Sequence, residues 1–200
     1  MAKEIILATA NEHKVAEIKI FFKDLKTKFT SMTSFEKYPH VIEDGKTLEE
    51  NAVKKAKIVA KFFNQWTLAD DTGLEVDFLN GKPGVHTARY AGNNCSYQDN
   101  SNKLLEVLKD VLPQKRTAVF KTVIALANPA GGVFLAEGKL FGIISTFPCG
   151  NCGFGYDAVF YLPECKKTLA EFSLEEKSSL SHRAKALKAA KKIIEDLVGE

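Results

Sequence analysis

Four short segments carry side chains suited to a charged nucleotide: Thr9-Ala-Asn-Glu-His-Lys14, Asp70-Asp-Thr-Gly73, Phe154-Gly-Tyr-Asp157 and Ser181-His-Arg183. The first reads as a strand-to-helix turn ending in lysine, where helix-start amides and the helix dipole favour phosphate and Lys14 adds a mobile cation. The acidic pair needs a proton or cation to relieve the repulsion between adjacent carboxylates. Magnesium suits it, because that ion takes one or two carboxylates together with phosphate oxygens and water. Glu43 or Asp44 would supply a further acid.

In Gly153-Phe-Gly-Tyr-Asp157 two glycines free the backbone and two aromatic rings offer stacking faces, so a flat base can approach. Asp157 would accept from the base or orient a cation. Ser181 is placed to cap the last helix, with His182 and Arg183 as donors toward an acceptor edge and Lys177 about one turn earlier. Each segment alone also has a plain structural reading. Asn11 can be only a helix cap, the acidic pair a solvated turn, Phe154 or Tyr156 a core anchor, His182 a core histidine, and Arg183 half of a surface ion pair. It is their combination that points to one planar, polyanionic ligand. The G-x-x-x-x-G-K-[ST] spacing of a P-loop is missing from the chain.

These groups need elements to hold them. An apolar run through Ile5-Ile-Leu7 predicts a buried strand, and Val15, Ile18, Phe21, Phe22 and Leu25 recur at helical spacing. Thr47-Leu-Glu-Glu50 has the pattern of a capping box opening a second helix, with Ala52, Ala56, Val59, Ala60 and Phe63 on its inner face. Glu50 and Lys55 on that helix do not share a face and are not expected to pair. Trp66 to Ala69 predicts a strand ending at the acids, which places them where open α/β sheets gather ligands. A helix is expected through Leu104, Leu105, Leu108 and Leu112, and a long antiparallel hairpin around Asn128-Pro-Ala-Gly-Gly132. A strand from Ala158 to Leu162 and a helix from Arg183 to Leu197 complete the order. The fold class is α/β: a mixed, elongated central sheet flanked by helices, forming two lobes around an active-site cleft within one domain of residues 1–200.

Composition bounds the partners. With 45% hydrophobic and 26% charged residues the 200-residue chain has the make-up of an ordinary globular protein. A net charge of +3 does not call for nucleic acid, and no basic stripe or DNA-binding motif is present. The sequence has neither a leader pattern nor a membrane-length apolar run, which predicts a cytoplasmic location. Cys95, Cys149, Cys152 and Cys165 are then expected as free thiols; Cys149-Gly-Asn-Cys152 lacks a second close pair for zinc.

Taken in order, Ala69-Asp-Asp-Thr-Gly-Leu74, Pro83-Gly-Val85 with Ala88-Arg-Tyr-Ala-Gly92, Gly153-Phe-Gly-Tyr-Asp157, and Glu175-Glu-Lys177 with Ser181-His-Arg183 resemble the inosine triphosphate pyrophosphatase family over essentially the whole chain. Ala10, where the family usually has glycine, and Thr72, where serine is commoner, are modest departures. The resemblance implies hydrolysis of dITP, ITP and XTP to the monophosphate and pyrophosphate, Mg²⁺ as cofactor, and a homodimer. By position it implies Thr9, Ala10, Asn11, Glu12, His13 and Lys14 at the triphosphate, with Lys55 near the phosphates. Asp71 becomes proton acceptor and metal ligand, Glu43 a second metal ligand, and Thr72 a substrate contact. Phe154, Gly155, Tyr156, Asp157, Lys177, His182 and Arg183 would hold the nucleotide, with Phe154 stacking on the base. Two other readings share parts of this apparatus: a pyrophosphatase for pyrimidine or modified nucleotides, and a nucleotide-binding module without catalysis.

Overall fold

The computed structural model describes residues 4–198. Strand β1 (Glu4–Leu7) leads through a short turn into helix α1 (Glu12–Phe21). Asn11 caps that helix by accepting from the His13 and Lys14 amides at 3.0 and 3.3 Å. Strand β2 (Lys28–Ser31), not expected from the sequence, returns parallel to β1 in the register Glu4 to Lys28. Helix α2 (Leu48–Phe63) starts at Thr47, whose hydroxyl accepts from the Glu50 amide at 3.1 Å. The expected capping box is only half made, because the Glu50 carboxylate accepts from the Lys46 amide instead.

Strand β3 spans Thr67–Val76, so the acids lie inside it and not at its carboxyl end. The pairing explains the difference. β3 runs parallel to β1 at Thr67 and Leu68, loses that partner as β1 stops at Leu7, and meets β4 (Pro83–Gly84) antiparallel from Leu74. Asp70 and Asp71 therefore sit beside the end of β1, in the interval between those two partners.

Helix α3 (Tyr97–Val107) opens with a capping box at Ser96 and closes before Leu112, which is exposed and not on a helical face as expected. Arg116 accounts for this stop by donating to the carbonyls of Leu108 and Val111. β5 (Thr117–Ala127) and β6 (Val133–Ile144) form the expected hairpin, closed by the Asn128 amide donating to Gly132 O at 3.0 Å. The chain ends through β7 (Phe160–Leu162), β8 (Lys167–Thr168), α4 (Leu174–Leu180) and α5 (His182–Val198). The strand order is β2-β1-β3-β5-β6-β7-β8 with β4 on β3, a mixed sheet in an α/β fold.

The chain divides into two compact units, each with its own core. Residues 1–71, 122–138 and 182–200 make the first, residues 72–121 and 139–181 the second. In the first, Ile5, Leu7, Ile18 and Phe22 pack with Leu68, Ile124, Leu126 and the inner face of α5. In the second, Leu74, Leu104, Leu108, Phe120, Tyr156 and Phe160 form the centre. Among the described residues no helix is long and apolar enough to cross a membrane.

Candidate active site

Successive side chains of a strand point to opposite faces, so β3 separates the two acids. Asp70, 1% exposed, meets Lys14 Nζ through Oδ1 at 2.8 Å and Arg183 Nε through Oδ2 at 2.8 Å. Arg183 Nη1 donates in turn to Glu17, which α1 presents one turn after Lys14. Asp71 meets a different cation: Lys55 of α2 donates to Asp71 Oδ1 at 2.8 Å, to the Asp70 carbonyl at 2.7 Å, and pairs with Glu43 at 2.8 Å.

These surroundings give the two carboxyls opposite tendencies. Burial pushes Asp70 up, but the Lys14, Arg183 and Lys55 charges together hold it well below the usual carboxylate range. Asp71 lies above its ordinary value, raised first by burial and also by Glu43, with Lys55 only partly offsetting them. Burial opposes the charge of Lys55 too, yet Asp71, Glu43 and Asp70 hold its pKa up. Lys14 is pushed down, mainly by burial, against the pull of Asp70.

Lys14, Lys55 and Arg183 face four carboxylates, Glu17, Glu43, Asp70 and Asp71, which leaves the cluster with one negative charge in excess. Glu43 and Asp71 converge on one cationic position, the Lys55 ammonium. Two hard oxygen donors converging in this way suit a small divalent ion that also keeps waters and phosphate oxygens. Among the described residues no three His, Cys, Asp or Glu side chains gather into a complete metal cage.

The first turn of α5 is held tightly. His182, 5% exposed, shares a 2.6 Å hydrogen bond through Nδ1 with the hydroxyl of Thr122 on β5. Gly138 of β6 lies against its backbone: a Cβ there would come within 2.2 Å of His182 O and 2.3 Å of Ala186 N.

In the second unit Lys177 Nζ donates to Asp157 Oδ2 at 2.6 Å and stands 5.7 Å from the centre of the Phe154 ring. The same Oδ2 accepts from the Phe154 amide at 3.1 Å. Gly153, at φ +84°, leaves room for this pair, since a Cβ would fall 2.1 Å from Asp157 Oδ2 and 2.8 Å from Lys177 Nζ. The half-buried Phe154 ring tilts against Tyr97 at 5.8 Å. One aromatic face, one ammonium and one carboxylate thus form a rigid group able to stack on a planar ring and donate to its edge.

The Ham1 family profile matches residues 5–193. The chain belongs to the Ham1 family. It is 48% identical over 191 residues to the dITP/XTP pyrophosphatase of Thermoanaerobacter pseudethanolicus, covering 96% of each chain. A solved HAM1 protein from Coxiella burnetii is 39% identical with a TM-score of 0.87, over 97% of this chain and 99% of that one. The solved dITP/XTP pyrophosphatase from Mycobacterium abscessus is 37% identical with a TM-score of 0.74, over 93% and 97%.

Within this Ham1 chain, Lys14, Glu43, Lys55, Asp71, His182 and Arg183 belong to the first unit, with Lys14, Glu43, Lys55, Asp71 and Arg183 in its charged cluster. Lys14, expected as a cation for phosphate, is paired with Asp70, and Asn11 already serves two first-turn amides of α1. Glu12, His13 and Ala10 are exposed beside that turn, and Thr9 accepts from the Asn11 amide at 3.1 Å. Phe154, Gly155, Asp157 and Lys177 lie in the second unit, as does Thr72 on β3. Tyr156 is a correction: its ring is 2% exposed in the core and its hydroxyl donates to Thr87 O at 3.0 Å, so its ring is a core anchor and not a stacking face. Arg183, 2% exposed, is gripped by two carboxylates. Sequence reasoning missed Glu17, Thr122 and Gly138; it read Gly153 as a freed backbone and not as the space taken by the Asp157–Lys177 pair. Glu17 carried a usable signal, being three residues from Lys14 on one helix face, as did Thr122, a polar residue within an apolar strand.

Proposed function

We propose that this chain hydrolyses non-standard purine nucleoside triphosphates, dITP, ITP and XTP, to the monophosphate and pyrophosphate, and so removes deaminated purines from the nucleotide pool. The observation that carries the reading is the convergence of Glu43 and Asp71 on one cation position, in a chain whose relatives carry the name dITP/XTP pyrophosphatase.

The residues divide the work. Thr9 to Lys14 and Lys55 address the triphosphate, and their cations offset charge that develops on departing pyrophosphate. Asp71, raised by burial, is the better proton acceptor of the two acids and takes the proton of the attacking water. Glu43 and Asp71 would hold Mg²⁺, which when bound supplies charge neutralisation at the phosphate oxygens. Phe154 stacks on the base, while Lys177, His182 and Arg183 donate toward a 6-oxo edge and leave a mismatch against the 6-amino group of adenine. Asp157 fixes Lys177, and Thr72 and Gly155 line the same ligand. Residues 1–200 act as a single catalytic domain, working in the cytoplasm as a homodimer, a state light scattering would test.

The test is Mg²⁺-dependent hydrolysis of dITP, XTP, ATP, GTP, dTTP and UTP with pyrophosphate and orthophosphate measured separately. Monophosphate plus pyrophosphate from dITP and XTP alone is expected. Orthophosphate release, a pyrimidine preference or no turnover would overturn the reading. Asp71→Asn is expected to lower kcat at least about a hundredfold with dITP binding retained; near-native turnover would remove Asp71 as the base.

A further inference from the structure

We propose that Asp70, which faces away from Asp71 on β3, is a positioning residue that couples the phosphate-directed Lys14 to Arg183, so that the two cations act as one unit. The proposal rests on the nucleotide reading above. Asp70 is 1% exposed, and each of its oxygens has its own cation: Oδ1 meets Lys14 Nζ at 2.8 Å and Oδ2 meets Arg183 Nε at 2.8 Å. Glu17 holds the guanidinium through Nη1, and it shares α1 with Lys14. The result is a chain of alternating charge, Lys14, Asp70, Arg183 and Glu17, that joins α1, β3 and the first turn of α5.

A buried carboxylate loses one of its two ion pairs when either cation leaves, so the remaining cation must readjust. Lys14 and Arg183 are therefore linked through one side chain, and a ligand that draws on Lys14 changes the hold on Arg183. Asparagine cannot replace this link. Its one carbonyl oxygen can keep one of the two contacts in place, while the amide nitrogen left facing the other cation only donates.

The experiment is a double-mutant cycle read by calorimetric binding of dITP, with a chelator present so that binding is measured without turnover. Native protein, Lys14→Met, Arg183→Gln and the double variant are compared, then the same set is built on Asp70→Asn. In the native background the two substitutions are expected to be non-additive by about tenfold in Kd, mid-range for residues sharing one network. In the Asp70→Asn background that coupling falls to within about twofold. Inorganic triphosphate, which has no base, serves as the second probe and should show the same loss of coupling. Additivity in the native background overturns the proposal, whether or not Asp70→Asn folds, and so does coupling that persists in folded Asp70→Asn. Where Arg183→Gln does not fold, Glu17→Gln takes its place, because it loosens the same guanidinium. Native protein that binds no dITP would overturn both the coupling and the nucleotide reading; binding with additive substitutions would overturn the coupling alone.

Discussion

Replacing Lys55 by methionine tests the electrostatics of the candidate site directly. Its ammonium contacts Asp71 Oδ1 at 2.8 Å, Glu43 Oε1 at 2.8 Å and Asp70 O at 2.7 Å. At an effective dielectric of 20, unit charges this close attract by about 6 kcal/mol, part of which is spent on desolvation. The Glu43 side chain is 40% exposed and turns to water, so its share is at most about 1 kcal/mol. The Asp71 side chain, 8% exposed, is left without its cation, and the variant is expected to lose about 3–5 kcal/mol at neutral pH with a chelator present. The loss must depend on pH. Burial, then Glu43, already raises the Asp71 carboxyl, and removing Lys55 raises it further. An acid whose folded pKa exceeds its unfolded value of about 3.9 penalises folding fully above the folded pKa, and the penalty vanishes below the unfolded one. Urea denaturation at about pH 7.5 and about pH 5 should therefore show the gap between native and variant protein narrowing on acidification. A loss below about 1 kcal/mol, or a gap that is constant or widens toward acid, would refute this account of the site.

Three other outcomes follow from the same geometry. Gly138→Ala would drive a methyl to 2.2 Å from His182 O and is expected to cost about 2–3 kcal/mol and to raise KM for dITP; an unchanged Tm with native KM would remove Gly138 from the support of α5. Lys177→Met leaves Asp157 without its cation and Phe154 without its neighbouring ammonium, so KM for dITP should rise about tenfold or more while ATP hydrolysis is less affected; equal loss for both nucleotides would count against a base contact. Asp70, held below its unfolded value, contributes stability that is present above about pH 4 and is lost as pH falls through the folded pKa. Asp70→Asn should accordingly flatten the acid limb of a stability profile, and an unchanged limb would contradict the assignment.

Long periodic or apolar stretches were legible because their signal is local. The run Ile5-Ile-Leu7, the inner face of the 16-residue helix α2 and the turn at Asn128 to Gly132 each declare their element without reference to the rest of the chain. β2, β4, β8 and α4 were not: β2 is held by its parallel register with β1, far away in sequence, while β4 and β8 are two-residue strands and α4 a seven-residue helix, too short to display a period. Tyr156 and Phe154 illustrate the same limit within one loop. Both are aromatic and flanked by glycine, yet only tertiary packing sends one ring into the core and leaves the other half-exposed beside Lys177.

The acid pair carries this furthest. Read as a sequence, Asp70-Asp71 is one feature, two like charges asking for one cation. Placed inside a strand, a period of two assigns the neighbours to opposite faces and hence to different helices. Asp70 meets α1 and α5, where two cations hold it ionised and fix it in place. Asp71 meets α2, where one lysine shared with Glu43 leaves its carboxyl raised and better suited to accept a proton. Had β3 ended at the acids, as the sequence suggested, both would have been free to turn toward the same ligand. Its continuation to Val76 removes that freedom and commits each acid to its own cations, Asp70 to Lys14 and Arg183 and Asp71 to Lys55.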